Sequence, residues 1–318
     1  MTKVYNDFSE VCDNFDSLLV DAYGVFWDGG KFYEGSLEIL SDMVNKGKKV
    51  CILSNTTGTS EDSIKSYDKK GMKHGVHYTD FVTSGDVARK AVIDQSLDIT
   101  EGSIYMWGTP NKKLFADSKY NVTNDINEAK SFYISIPQLT FEQKAKFKEL
   151  EHEFYSSRLP KEGEPDLWDS MVVDPFLPSL KELFARGLTA INANPDFRAF
   201  ETPKGGSVGK PVIRQGLIAQ IYKDMGGKVI EFGKPHANAY SYAFEVSGIV
   251  PSKRVAMIGD TYRTDIKGGL DAGISSVWCV STGMTKYDRE MGKTIEDLCG
   301  NNFDNIYLIK GLGKAEYK

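Results

Sequence analysis

One short apolar stretch that ends on an aspartate constrains the fold of this chain more than any other feature. Within Ser17–Phe26, three apolar residues follow Ser17 and lead to Asp21, and Gly24 comes soon after. An apolar run bounded by a turn signal is typical of a buried strand in a parallel sheet that is covered on both faces. Because open α/β sheets bind ligands at the carboxyl ends of their strands, Asp21 lies where such a site would form. Taken alone, the pattern fits equally well a strand followed by a capping aspartate.

Strand and helix signals alternate through much of the remaining chain. Lys49–Leu53 is predicted as a second buried strand, and it leads into a polar turn at residues 54–58. Further strands are predicted at Lys228–Phe232, Arg254–Ile258 and Ser275–Val280. This alternation predicts an α/β protein with a doubly wound parallel sheet.

The pattern of predicted strands and helices changes between residues 92 and 227. Strand-like runs such as Ser131–Ile136, and a helix that the capping box Thr140–Gln143 would start, predict an inserted α/β domain. The glycines of Gly205–Gly209 lack the spacing of a P-loop. We therefore expect a core made of residues 1–91 and 228–318, with residues 92–227 inserted as a second domain.

Length, charge and cysteine usage exclude several classes of partner. A chain of 318 residues exceeds one typical domain, so two are expected. The net charge of −5, without a basic stripe, argues against a nucleic-acid partner. The four cysteines have neither paired nor metal-like spacing, which indicates a reducing compartment. With no apolar signal region at the start and no apolar run that could span a bilayer, the expected location is cytoplasmic, without a membrane partner.

Four predicted strand ends carry side chains with complementary chemistry. They are Asp21; Ser54 with Asn55; Lys234; and Asp260 with Asp265. In a parallel sheet these ends meet at one edge, where carboxylates would repel each other unless a cation joined them. A few hard oxygen ligands suit Mg²⁺, which binds through one or two carboxylates together with substrate phosphate. A lysine and a hydroxyl beside that ion would complete a phosphate clamp, and Asp21 would be available as a nucleophile that forms an aspartyl-phosphate.

These residues resemble the four sequence motifs of the haloacid-dehalogenase-like (HAD) hydrolases, in the order that this superfamily has them. The first motif is similar to Asp21–Val25, the second to Ser54-Asn55, the third to Gly233-Lys234-Pro235, and the fourth to Gly259-Asp260 with Thr264-Asp265. Asp21 and Asn55 are 34 positions apart, whereas Asn55 and Lys234 are 179 apart. That layout resembles the superfamily members with a C2 cap between the second and third motifs. The turn Asn194-Pro195-Asp196 resembles the class IIA branch, which includes sugar-phosphate, nucleotide and aryl phosphatases.

The resemblance implies a Mg²⁺-dependent phosphatase that acts on a small phosphorylated metabolite. By this resemblance Asp21 is nucleophile and metal ligand, and the other metal ligands are the carbonyl of Tyr23 and Asp260. The phosphoryl group and substrate would be held by a set of polar residues: Ser54, Asn55, Thr56, Asn194, Asp196 and Lys234. Asp265 would orient a metal-bound water or Lys234. The resemblance also implies that residues 92–227 form the cap and that two copies of the protein form a homodimer through it.

One position departs from the phosphatase pattern. HAD phosphatases usually carry a second aspartate, the general acid, two residues after the nucleophile, and this chain has Tyr23 there. A phenol, with a reference pKa of about 10, does not simply replace a carboxylic acid. Leaving groups that need no proton would then be favoured, or another acid would come from the cap or substrate. Alternatively, the protein is a weak or inactive enzyme that binds a phosphorylated ligand in a regulatory role.

Dehalogenation is a further hypothesis, because haloacid dehalogenases carry tyrosine in a similar motif and halide leaves without a proton. Two features weigh against it. Those enzymes resemble each other in placing the cap between the first two motifs, and 34 residues leave no room for one. They also have no need of the metal site that Asp260 and Asp265 are predicted to form.

Overall fold

We describe the fold from a computed structural model, for residues 3–99, 102–108, 111–135, 176–201, 210–300 and 303–313. The predicted helix at Thr140–Gln143 and the stretch Gly205–Gly209 lie outside these residues. The chain divides into two compact units: the first is Met1–Ala88, Ala193–Val212 and Phe232–Lys318, and the second is Arg89–Asn192 and Ile213–Glu231. Residues 193–212, which were predicted within the inserted domain, thus cluster with the first unit. The assignment of core and cap stays a prediction.

Strands and helices alternate within both units. The strands are β1 (Val4–Tyr5), β2 (Ser17–Val20), β3 (Lys49–Ser54), β4 (Asp80–Thr83), β5 (Ser103–Trp107), β6 (Asn121–Thr123), β7 (Ala129–Ile134), β8 (Thr189–Asn192), β9 (Arg198–Glu201), β10 (Lys210–Ile213), β11 (Val229–Glu231), β12 (Val255–Gly259), β13 (Ser275–Cys279) and β14 (Ile306–Ile309). The α-helices are α1 (Ser36–Asn45), α2 (Ser60–Asp68), α3 (Ser84–Ile93), α4 (Lys112–Phe115), α5 (Leu177–Ala185), α6 (Gln215–Asp224), α7 (Ala237–Ser247), α8 (Lys267–Asp271), α9 (Gly283–Glu290) and α10 (Ile295–Cys299). Among the described residues, no helix combines the length and the apolar character that crossing a lipid bilayer requires.

The sheet of the first unit has the parallel, doubly wound architecture predicted from the sequence. Its seven described strands run in the order β1-β14-β13-β12-β2-β3-β4, and every pair is parallel. The central strands are apolar because both of their faces are covered, as Leu18, Ile52 and Ile258 illustrate by being fully buried. The α/β class is therefore confirmed.

The order of this sheet reverses between β2 and β12. The chain proceeds from β2 to β3 and β4 on one side, and from β12 to β13 and β14 on the other. The two strands pair with Val20 opposite Ile258, and the Asp21 amide donates to the carbonyl of Ile258 at 2.9 Å. Such a switch point opens a crevice at the carboxyl ends of the strands, where ligands of this architecture bind.

The second unit has its own parallel sheet, with the five described strands in the order β11-β8-β7-β5-β6. Its core includes Phe132, Leu180 and Tyr222, which are fully buried. The strand predicted at residues 228–232, which leads to Lys234, was expected in the same sheet as β2. The sheet expected for this strand is wrong. Val229–Glu231 pairs instead with β8, and the chain enters the first unit only at Phe232. A strand of three residues, of which only Val229 and Ile230 are apolar, cannot by its pattern indicate which of two parallel sheets it joins.

Candidate active site

The two strands at the switch point each end on an aspartate. Asp21 follows β2 and Asp260 follows β12. After Asp21 the chain turns at Gly24, whose φ of +77° favours glycine and whose added side chain would collide with the Asp260 carboxylate. One carboxylate oxygen each from Asp21, Asp260 and Asp265 lies within 4.8 Å of the others. The structure thus brings together three of the carboxylates predicted from the sequence.

Lys234 joins this carboxylate cluster from the loop before α7. Its ammonium donates to Asp21 Oδ1 at 2.7 Å and lies 2.9 Å from Asp265 Oδ1, and the side chain is only 1% exposed. Burial lowers the pKa of Lys234, but the carboxylates of Asp21, Asp265 and Asp196 outweigh it and raise the pKa overall. The lysine therefore carries its positive charge inside the unit, between the two aspartates.

Asn55 fixes the backbone of Lys234. Its Oδ1 accepts from the Lys234 amide at 2.8 Å, while its Nδ2 donates to the Lys234 carbonyl and to Asp196 Oδ1, each at 3.0 Å. Gly233, with φ of +103°, leaves the space for this contact, because a side chain there would approach Asn55 Oδ1 to 2.7 Å. Asn55 was predicted to hold a phosphoryl group. In the structure its side chain holds the lysine and the Asp196 loop.

Asp265 is aligned by the turn that follows β12. Its Oδ2 accepts from the Thr261 amide at 3.1 Å, and its own amide donates to the Thr261 carbonyl at 2.9 Å. The contact of Asp265 Oδ1 with Lys234 lacks hydrogen-bond geometry, so this buried oxygen has no hydrogen-bond partner among the described residues. Asp265 thus faces Lys234 as a charge, which agrees with a role in orienting the lysine.

Burial, with a smaller contribution from neighbouring carboxylates, raises the pKa values of the clustered aspartates. Burial raises the pKa of Asp21 to about 7, with the Lys234 ammonium opposing it and Asp265 adding to it. Burial raises the pKa of Asp260 well above its usual range, with Asp265 and Asp21 adding to it. Burial also raises the pKa of Asp196. Four clustered carboxyls beside one buried ammonium are a set of hard oxygen donors with excess negative charge, and these are features that a divalent cation such as Mg²⁺ fits.

A small pocket opens onto these groups. It has a volume of about 30 Å³, and its lining includes Asp21, Tyr23, Asp196, Arg198 and Asp260. About 10–15 Å³ is enough to hold a water molecule, so the pocket suits an ion or a water rather than a whole metabolite. Tyr23 therefore lies beside Asp21 and Asp260, the two aspartates with which it was predicted to bind the metal.

The remaining predicted residues occupy the loops around this centre. Ser54 is buried, and its Oγ accepts from the Thr56 amide at 3.3 Å. The Thr56 carbonyl accepts from the Gly85 amide at 3.1 Å, which ties the loop to α3. Asn194 Oδ1 accepts from the Asp196 amide at 3.0 Å, and this side-chain turn directs Asp196 toward Asn55.

The sequence-based prediction missed the turn Thr282–Met284. The Met284 amide donates to Asp260 Oδ2 at 2.6 Å, and Thr282 Oγ1 donates to the Gly24 carbonyl at 2.5 Å. The signal was present, because a buried strand ends here on small polar residues and a glycine, as β3 ends on Ser54 and Asn55. This turn contains no charged residue, the signal that identified most of the other strand ends.

Two family models match the chain on either side of its middle. A model described as haloacid dehalogenase-like hydrolase matches residues 18–118, and a HAD-hydrolase-like model matches residues 231–301. An acid sugar phosphatase of Staphylococcus aureus (strain USA300) is 32% identical over 130 residues. That match covers 41% of this chain and 44% of the relative, so less than half of the relative's length is matched.

Solved structures share the fold along most of the chain. A haloacid dehalogenase-like hydrolase from Brucella suis 1330 has a TM-score of 0.65 at 20% identity, covering 88% of this chain and 90% of that one. A 4-nitrophenylphosphatase from Thermotoga maritima has a TM-score of 0.60 at 24% identity, covering 96% and 97%. A possible sugar phosphatase from Cytophaga hutchinsonii has a TM-score of 0.62 at 20% identity, covering 87% and 88%.

Proposed function

Because the chain belongs to the haloacid-dehalogenase-like hydrolases, we propose that it is a Mg²⁺-dependent phosphatase acting on a small phosphorylated metabolite. The observation that carries the proposal is the meeting of Asp21, Lys234, Asp260 and Asp265 at the switch point of a parallel sheet. Relatives that bear the names acid sugar phosphatase and 4-nitrophenylphosphatase support the reaction class. The C2-cap, class IIA organisation expected from the motif spacing belongs to the same proposal.

Asp21 is the proposed nucleophile. Its Oδ attacks phosphorus, the bond from phosphorus to the leaving oxygen breaks with the electron pair staying on that oxygen, and an aspartyl-phosphate forms. Water then attacks the same phosphorus and releases a proton to solvent, the bond to Asp21 breaks and restores its carboxylate, and inorganic phosphate leaves. The Lys234 ammonium, 2.7 Å from Asp21 Oδ1, is placed to compensate charge on the phosphoryl oxygens, and Asp265 keeps it there.

The metal ligands in this proposal are the carboxylates of Asp21 and Asp260 and the carbonyl of Tyr23. When bound, Mg²⁺ supplies charge neutralisation for the phosphoryl oxygens. Ser54, Asn55 and Thr56 form the loop proposed to hold the transferring group, and Asn194 and Asp196 are proposed to face the substrate. The hydrogen bonds of Asn55 to Lys234 and Asp196 support a shared task for these two loops.

Tyr23 bears on which substrates would react. A general acid contributes about 10²–10⁴-fold to rate, and the chain has no carboxylate at that position. Aryl and acyl phosphates have leaving groups that need no proton, so we propose that they are turned over faster than alkyl phosphates.

Hydrolysis of 4-nitrophenyl phosphate, with and without Mg²⁺, tests the proposal on wild type and Asp21→Asn. Loss of the nucleophile is expected to lower kcat by at least about 10³-fold. Asp98→Asn is the matched control, since Asp98 forms an ion pair at the surface with Lys228 and should keep wild-type kcat. Equal turnover without Mg²⁺, or an active Asp21→Asn protein, would disprove the mechanism.

A second candidate function is a regulatory protein that binds a phosphorylated ligand without turnover, and Tyr23 is the observation that favours it. Calorimetry that finds tight binding of a sugar phosphate, with no hydrolysis of a broad ester panel, would support it. Tyr23→Asp separates the two candidates, because a restored acid should speed alkyl phosphate hydrolysis by roughly 10²-fold or more in an enzyme. Tyr5→Asp, in the edge strand β1 of the same sheet, provides the control for an added carboxylate.

A cytoplasmic location is proposed as well, because all four cysteines are buried free thiols. The homodimer through the cap stays a prediction, which size-exclusion chromatography with light scattering can test.

A further inference from the structure

The turn Thr282–Met284 contacts two parts of the carboxylate site, the loop after Asp21 and the side chain of Asp260. Thr282 Oγ1 donates to the carbonyl of Gly24, in the loop that follows the nucleophile Asp21, at 2.5 Å. The Met284 amide donates to Asp260 Oδ2 at 2.6 Å. Thr282 is 5% exposed and Asp260 4%, so both contacts are shielded from water. A single turn after β13 therefore holds the loop after β2 and the carboxylate after β12.

Two glycines make this close approach possible. An added side chain at Gly24 would collide with the Asp260 carboxylate, and one at Gly283 would collide with Asp260 Oδ2 and the Cα of Gly24. Both residues have positive φ, +77° and +56°. The Asp260 carboxylate thus sits in a cradle that we define as Gly24, Thr282, Gly283 and Met284.

The cradle fixes which oxygen of Asp260 is available to a cation. Oδ2 accepts the hydrogen bond from the Met284 amide, and Gly24 and Gly283 approach the carboxylate so closely that a side chain on either would collide with it. Hydrogen bonds from outer residues orient metal-binding carboxylates, and their removal typically lowers metal affinity by about 10- to 100-fold.

We infer that Thr282, Gly283 and Met284 are positioning residues for the divalent-cation site, holding Asp260 so that one of its oxygens faces Asp21. The inference rests on the proposed function, in that it concerns the same cation site. It adds a segment that the four recognised motifs do not contain.

Matched glycine pairs test the cradle. Gly283→Ala should weaken Mg²⁺ binding, measured by calorimetry, by at least about 10-fold. Gly300→Ala is its control, because Gly300 has φ of +65° and open space around an added side chain. Gly24→Ala pairs in the same way with Gly47→Ala, since Gly47 has φ of +75° and nothing within 4 Å of an added side chain. The control variants carry the backbone strain without the collision, and they should bind Mg²⁺ as wild type does.

Thr282 tests the hydrogen bond without backbone strain. Thr282→Val removes the hydroxyl at nearly constant shape and is expected to weaken Mg²⁺ binding several-fold, whereas Thr282→Ser keeps the hydroxyl and should restore it. Thr294→Val is the control, because Thr294 caps α10 through its hydroxyl and its loss lowers stability without touching the site. If the role of Thr282 were purely structural, Thr282→Val would lower the free energy of unfolding as Thr294→Val does and would leave Mg²⁺ affinity unchanged.

The outcomes separate this inference from the proposed phosphatase activity. If wild type binds Mg²⁺ and the cradle variants bind it more weakly, the inference holds, even where no ester is hydrolysed. If wild type hydrolyses 4-nitrophenyl phosphate and the cradle variants bind Mg²⁺ with wild-type affinity, the inference is overturned and the activity stands. Mn²⁺ titration followed by electron paramagnetic resonance gives a second readout of affinity for any variant with a small calorimetric signal.

Discussion

The chain builds two parallel sheets with similar architecture and different chemistry at their strand ends. In the first unit, β2 and β12 end on Asp21 and Asp260, which take part in a carboxylate cluster. In the second unit, β5, β7 and β8 are followed by Gly108, Ser135 and Ala193. Within the part of the chain that the structure describes, only the first unit has such a cluster. Parallel packing brings strand ends together in both units, but the residue after each strand decides whether a reaction site results.

The two units also differ in how they use a lysine. Lys234 in the first unit is 1% exposed and lies between Asp21 and Asp265, whereas Lys228 in the second unit pairs with Asp98 with its side chain 56% exposed. Six positions along the chain separate a buried charge from a solvated one. The first compensates the carboxylates of Asp21 and Asp265, which are largely removed from water, and the second has water as an alternative partner.

The largest effect is expected from Lys234→Met. Removing the buried ammonium leaves Asp21 and Asp265 without compensation, which should lower the free energy of unfolding by about 3–5 kcal/mol and abolish turnover. Urea unfolding of the metal-free protein and hydrolysis of 4-nitrophenyl phosphate measure the two effects.

Lys228→Met is the matched control for this prediction. The same change in an exposed ion pair should leave stability and kcat near their wild-type values. Equal stability losses in the two variants would show that burial of Lys234 does not set its contribution.

The sequence predicted the main sheet well, because an apolar run indicates a buried strand and the polar turn after it indicates where the carboxyl end of that strand lies. It also predicted the acidic cluster, since Asp21, Asp260 and Asp265 follow strands. It assigned the strand before Lys234 to the wrong sheet, because β11 is too short for its pattern to reveal its neighbours, although Lys234 itself meets Asp21 and Asp265 as predicted. It missed Thr282–Met284, because the small polar residues after this buried strand include no charged side chain, and the turn acts through a backbone amide and a hydroxyl.

Mg²⁺ should stabilise one sheet and not the other. A ligand at 100 times its dissociation constant adds about 2.7 kcal/mol to the free energy of unfolding. Hydrogen exchange followed by mass spectrometry should therefore show added protection in peptides from β2 and β12, and little in peptides from β7 and β8. Asp260→Asn should remove that protection, and its metal-free form should be no less stable than wild type, because burial disfavours a charged carboxylate at this position and the amide is neutral. Added protection in both sheets, or its persistence in Asp260→Asn, would contradict the assignment of the metal to the first unit.

Two buried asparagines give the finest comparison, because each lies at a strand end and Asn55 makes hydrogen bonds to residues of the candidate site. Asn55 is 4% exposed and makes hydrogen bonds to Lys234 and Asp196, while Asn192 is fully buried and its Nδ2 lies 3.5 Å from Glu231 Oε1. Each alanine variant leaves buried polar groups without a partner, which should lower the free energy of unfolding by about 1–3 kcal/mol. Only Asn55→Ala should also lower kcat, since the Lys234 backbone would lose the contacts that align its ammonium with Asp21. Urea unfolding and steady-state kinetics measured on both variants separate the two effects, and a fall in kcat of equal size in Asn192→Ala would mean that loss of stability, rather than alignment of the lysine, limits turnover.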